Sequence, residues 1–157
     1  MTAEWEVLWH SFFEERFMSL LERVEELART NPDDFYNHPD YKFFDSVSNC
    51  IQNRILLAPG DKEFNLGNTL GKTHKKWRRA KNGLPNRYRL FFRYSSQSKE
   101  IILSWLNDEK SIRRDGHKND VYEVFKRMLA SGNMPHSYEE LAKVPNESNF
   151  TERFGNQ

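Results

Sequence analysis

The stretch RYRLFFRYSS, Arg87 to Ser96, limits what this chain can fold into more than any other part of it. Its period of two places Arg87, Arg89, Phe91 and Arg93 on one face and Tyr88, Leu90, Phe92 and Tyr94 on the other, as in a strand with one buried and one wet side. NGLPN before it and SSQSKE after it have the composition of turns. THKKWRRAK precedes the first turn and IILSWLN follows the second, each a candidate strand. Short strands joined by tight turns predict an antiparallel meander. In the preceding strand Trp77, Arg79 and Lys81 share one side, opposite Lys76, Arg78 and Ala80, so either register sets cations beside the arginine row. The expected result is a concave, cationic sheet face.

Helical patterns flank this region. Trp5, Val7 and Trp9 alternate as a short strand, and SFFEERFMSLLERVEELART repeats apolar residues at helical spacing with glutamates opposite. Ser11 is the expected N-cap, with Glu14 as its capping-box partner. A second helix is predicted from about Tyr41 to Leu57, with Phe44, Val47, Ile51 and Ile55 inward, ended by APGD. A third is predicted from about Asn119 to Ala130, with Val121, Val124, Phe125 and Leu129 on the sheet and Gly132 closing it. SYEELAKV opens a short helix with the box Ser137 to Glu140. The pattern predicts an α+β fold in a single domain over residues 1–157, with residues 145–157 as a flexible tail.

The net charge of +1 conceals a segregation. Residues 1–50 carry eleven acids against four bases, and residues 72–127 carry sixteen bases against six acids. Between Phe64 and Lys99 there is no Asp or Glu. Such a division suits a surface made for an anion, phosphate first among the candidates, although acidic and basic parts can also satisfy one another. No run of about 18 apolar residues is present to cross a bilayer. The opening MTAEWEVLWH lacks the basic and long apolar stretches of a signal peptide, and Cys50 is the single cysteine. A cytoplasmic protein with no membrane partner is expected.

Several chemistries find no motif here. The sequence holds no Cys-X-X-Cys, no His-Glu-X-X-His, no Walker glycine loop and no Gly-X-Ser-X-Gly, and neither a metal nor another cofactor is expected. GNTLGKTHKKW lacks the glycine spacing of a phosphate loop. Arg, Lys, His and Tyr remain, a set sufficient for metal-free RNA cleavage: a base deprotonates the 2′-hydroxyl, cations stabilise the phosphorane, and an acid protonates the leaving 5′-oxygen. Arginine suits the strand because its planar guanidinium holds phosphate bidentately and stacks on bases. Basic residues interleaved with Trp77 and Phe91 suit single-stranded RNA.

LGKTHKKWRRAK, NRYRLFFRYSSQSKEIILSWLNDEKSIRR and GHKNDVYEVFKRML together resemble the YhaV family of toxins in the RelE superfamily. The resemblance is strongest from about Leu66 to Met134. It implies a RelE-like fold, a curved antiparallel sheet with two N-terminal helices and a C-terminal helix packed on one side. It also implies an endoribonuclease that cleaves mRNA on the ribosome, inhibiting translation and growth. The implied partner is a PrlF-like antitoxin with an AbrB-type DNA-binding domain, through which toxin and antitoxin, as co-repressors, would bind their own operator DNA. By the resemblance Arg89 meets the scissile phosphate, and Arg79 and Lys81 stabilise it, with Lys81 also able to transfer a proton. GHKNDVY places His117 or Lys118, and Tyr122, near the cleft, and His117 could act as acid or base, the role for which an imidazole is best suited near neutral pH. Arg78, Arg87, Arg93, Lys75, Lys76 and Lys118 complete the expected RNA-binding set.

Plainer readings stand beside these. Arg87 and Arg93 are equally compatible with solvated strand residues or partners of acids such as Asp108. Tyr122 lies on a helix pattern and can be core with its hydroxyl reaching out. Trp77 and Trp105 read as packing residues before base platforms, and His10, His38 and His136 receive no role. Two other functions fit a similar fold: a ParE-like toxin that poisons gyrase, which lacks the basic cluster kept here in Arg79, Lys81 and Arg89, and a non-catalytic RNA-binding or co-repressor subunit.

Overall fold

A computed structural model describes residues 5–143. Along the chain run β1 (Glu6–Trp9), α1 (Ser11–Thr30), α2 (Pro39–Cys50), β2 (Arg78–Ala80), β3 (Leu90–Ser95), β4 (Glu100–Leu106), α3 (Val121–Ser131) and α4 (Tyr138–Ala142). The expected tail lies outside the described residues. The fold is α+β, with a four-stranded open sheet in the order β1-β4-β3-β2. β2, β3 and β4 form the antiparallel meander, whereas β1 pairs parallel to β4, so the sheet is mixed. A strand whose partner lies some ninety residues downstream is not bound by hairpin geometry, and the packing of α1 on β4 sets its direction.

Periodicity accounts for the first layer. Phe13, Phe17 and Leu20 of α1, with Phe44 and Val47 of α2, bury one face against Leu90, Phe92, Ile101 and Leu103. Phe17 stacks on Phe13 and on Phe44, with ring centroids 5.3 and 5.5 Å apart. α2 continues as a π-helical turn, Ile51–Ile55, which buries Ile51 and Ile55 on the same core. Full burial of each such side chain is worth about 1.5–3 kcal/mol.

The other side of the sheet is covered too. Phe91 and Ile102 point away from α1 and join Trp77 and the α3 residues Val121, Tyr122, Phe125 and Leu129 in a second core. Phe91 stacks on Phe125 at 4.2 Å. The helices therefore sit on both faces, and the expected open cationic face is occupied by apolar packing. Gly132 ends α3 at φ 84°, a left-handed position that glycine adopts without strain. Ser137 caps α4 as the sequence predicts.

Three local expectations change. The N-cap of α1 is His10, whose Nδ1 accepts from the Phe12 N–H at 3.0 Å; Ser11 is already helical. Only Arg78–Ala80 of THKKWRRAK is strand, because residues 72–74 wind into a 3-10 turn after Gly71. β3 begins at Leu90: Arg87 has φ 75°, outside strand geometry, so neither Arg87 nor Arg89 continues the ladder.

Candidate active site

Tyr122 stands at the centre. Asp120 caps α3, its Oδ2 accepting from the Tyr122 N–H at 3.0 Å, and this fixes where the tyrosine leaves the helix. The ring is buried edge-on to Phe91, centroids 5.9 Å apart, so core packing aims the hydroxyl. The ring is core and its hydroxyl reaches beyond it to neighbouring side chains, as the packing reading of Tyr122 has it.

Two arginines meet that hydroxyl. Arg79 of β2 donates from Nη1 at 2.9 Å, and Arg89, just ahead of β3, donates from Nε at 3.1 Å. Their other acceptors are neutral: the Asn65 carbonyl for Arg79 and the Tyr88 carbonyl for Arg89. Arg79 Nε is buried without a partner, leaving donor capacity on a half-buried guanidinium. A third arginine, Arg113, lies 5.2 Å from the Tyr122 ring centroid and is neutralised by Asp120 at 2.6 Å and Asp115 at 3.5 Å. Burial alone would raise Asp120, but the Arg113 hydrogen bond and the Arg114 and Tyr122 backbone N–H groups outweigh it and hold the carboxyl below its usual value.

Among the described residues no carboxylate pairs with Arg79 or Arg89. Two uncompensated guanidiniums on one oxygen make a ready site for a tetrahedral anion. Since a phenol oxygen that accepts from both still has its own O–H, Tyr122 keeps a proton to give.

Arg89 is positioned by a residue that no motif in the sequence singles out. Asn107, fully buried beyond β4, accepts from the Arg89 N–H at 2.8 Å and donates from Nδ2 to the Arg87 carbonyl at 3.2 Å and the Ser111 carbonyl at 2.9 Å. Its one signal is an Asn in the WLNDE run after a strand. Asp120 and Arg113 are likewise absent from the expected set, though Asp followed by an apolar helical pattern is an N-cap signal.

The other expected residues fall elsewhere. Lys81 is exposed past the end of β2, outside the cluster of Arg79, Arg89 and Tyr122. His117 and Lys118 are exposed in the turn before α3, where His117 Nδ1 accepts from the Asn119 N–H at 3.0 Å. Arg87 is exposed, and its backbone carbonyl, not its guanidinium, is what the fold uses. Arg78 stacks on Tyr94 and binds Asn65. Arg93 departs furthest from a solvated strand residue: it is 8% exposed, lies 5.5 Å from the Trp77 centroid and donates to the His136 carbonyl. Lys75 and Lys76 are exposed beside it. Trp77 is itself 1% exposed, a packing residue. Among the described residues no three His, Cys, Asp or Glu side chains gather as metal ligands, and no helix is long and apolar enough to cross a membrane.

Comparison with known proteins shows the family of the chain. A family model described as a toxin with endonuclease activity, of a toxin-antitoxin system, matches residues 7–146. Toxin YhaV of Escherichia coli O6:H1 is 38% identical over 145 residues, covering 92% of this chain and 94% of that protein. Ribonuclease toxin YhaV of Escherichia coli K12 is 37% identical with the same coverage. No solved structure matches the chain. With the family model matching residues 7–146 and relatives above a third identical over 145 residues, this chain belongs to the YhaV family of endonuclease toxins of toxin-antitoxin systems.

Proposed function

We propose that the chain is an endoribonuclease that cleaves mRNA at the ribosome, with Arg79, Arg89 and Tyr122 as its reacting centre and a fold of RelE type. The observation that carries the reading is the shared oxygen: Arg79 and Arg89 both donate to the Tyr122 hydroxyl while no carboxylate among the described residues neutralises either. A phosphodiester placed there exchanges neutral acceptors for charged ones, and the guanidiniums then face the negative charge that grows on the phosphorane. The 2′-oxygen forms its bond to phosphorus as the bond to the 5′-oxygen breaks. Tyr122 gives its proton to that leaving oxygen, and the products are a 2′,3′-cyclic phosphate and a 5′-hydroxyl. The 2′-hydroxyl proton passes to a base outside this cluster, for which His117, exposed in the turn before α3, is the candidate.

Membership of a toxin-antitoxin system implies an antitoxin. We read it as a PrlF-like protein with an AbrB-type domain that covers the arginines and carries the pair to operator DNA. Purified protein added to a translating extract with a defined mRNA tests the activity. New 5′ ends that appear with the native chain and vanish with Arg89→Ala are expected. Intact mRNA beside translating ribosomes would overturn the reading.

A further inference from the structure

We propose that the cleft between residues 72–77 and 136–139 is a second phosphate site, which holds another phosphodiester of the same RNA. The inference rests on the ribonuclease reading above.

The cleft has a volume of about 430 Å³. Lys75, Lys76 and His74 line one side of it, and His136 lines the other, with Arg93 and Trp77 between them. Glu139 is the single carboxylate in the lining. Arg93 is the sharpest indicator. Its guanidinium is buried, burial holds its pKa below the usual value, and its described acceptor is the neutral His136 carbonyl. No carboxylate forms an ion pair with it among the described residues. The charge of Glu139 offsets part of the cost of burying Arg93 without pairing with it, and an anion entering the cleft relieves more of that cost.

The imidazoles point the same way. His74 and His136 have ring centroids 6.3 Å apart, and His74 is held below its usual pKa by burial, by His136 and by Arg93. An anion beside them offsets the two electrostatic causes.

The cleft is on the right side of the sheet. Arg93 contacts Trp77, which shares the second core with Phe91 and Tyr122. Arg93 lies four positions after Arg89, a reach of at most about 14 Å along the chain. One RNA strand reaching both arginines therefore presents different phosphates to them, with the stacked Phe91, Phe125 and Trp105 rings lying within that face.

The test is binding of a 2′-O-methyl RNA 12-mer, which lacks the attacking hydroxyl, to the full chain across a salt series. Lys75→Ala/Lys76→Ala is compared with native protein; both lysines are exposed, and circular dichroism confirms the fold. Weaker binding is expected, with the slope of log K against log salt shallower by about 0.7 for each phosphate that the variant no longer neutralises. His74→Gln, made separately, should also weaken binding. An unchanged slope and affinity in both variants, with native protein still binding and cutting RNA, would sink the second site alone. Native protein that neither binds nor cuts would sink the ribonuclease reading and this inference together. If inorganic phosphate shifts the His74 and His136 ring resonances but the variants leave the RNA slope unchanged, the cleft serves free phosphate and the proposal is wrong.

Discussion

Asn107 clamps Arg89 by its backbone: the amide oxygen accepts from the Arg89 N–H at 2.8 Å, while the amide nitrogen donates to the carbonyls of Arg87 and Ser111. One buried side chain serves three backbone groups on two segments, of which the Arg87 carbonyl also accepts from the Arg113 N–H. Asn107→Ala leaves the Arg89 N–H and the Ser111 carbonyl without this partner and should cost about 2–4 kcal/mol, at about 1–3 kcal/mol for each buried polar group left unsatisfied. Urea unfolding measures it. In conditions where the variant stays folded, kcat should fall more than KM rises, because the guanidinium of Arg89 is displaced and not removed. An unchanged kcat would deny Asn107 a positioning role.

Tyr122→Phe keeps the ring packed against Phe91 and deletes only the oxygen that Arg79 and Arg89 share. Stability should change by about 1 kcal/mol, the net worth of an ordinary hydrogen bond. Single-turnover cleavage should slow by about 10²–10⁴, the range for a lost proton donor. Native rates in Tyr122→Phe would remove the hydroxyl from the chemistry.

Arg89→Lys separates charge from geometry. Lysine retains the positive charge but neither the Nε donor that reaches Tyr122 nor the planar fork for phosphate. Cleavage by Arg89→Lys should stay well below native, with Arg89→Ala lower still, by about 10²–10³ relative to native, as for loss of one transition-state donor. Rates that rank Lys equal to Arg would show that charge alone suffices.

Acid should loosen the start of α3. Asp120 titrates below its unfolded value of about 3.9, so its contribution is fully present above that pH and is lost as pH falls through the folded value. The loss therefore lies below about pH 4. Asp120→Asn should destabilise the protein at neutral pH and flatten the acid limb of its stability profile, read by thermal melts from about pH 6 downward in steps of about one unit. An identical acid limb in the variant would rule out Asp120 as its source.

Cys50 should resist alkylation. Burial pushes its thiol up to about 12, which leaves little thiolate at neutral pH, and its Sγ faces the Asn82 carbonyl at 3.6 Å. Mass spectrometry after iodoacetamide at about pH 8, near the pKa of a free thiol, should show unmodified native protein and full labelling in urea. Rapid labelling of the folded chain would contradict this burial.

Local pattern was enough for much of the secondary structure. The apolar spacing of α1, α2 and α3, the stop at Gly132, the cap at Ser137 and the strand cores of β3 and β4 all follow from chain-local chemistry that needs no distant partner. The family resemblance singles out Arg79, Lys81, Arg89, His117 and Tyr122, of which Arg79, Arg89 and Tyr122 meet in the fold and Lys81 does not join them. A period of two says which residues share a face but not what covers it. Periodicity alone sets Phe91 and Arg93 on a wet face, and α3 turns that face into a second core. The left-handed Arg87, the clamp of Asn107 on Arg89 and the parallel pairing of β1 all depend on segments many residues apart. The meeting of Arg79 with Tyr122 spans 43 residues and that of Arg89 with Tyr122 spans 33. Such meetings come from how layers pack, and packing is a property of the assembled chain that no local window of residues carries.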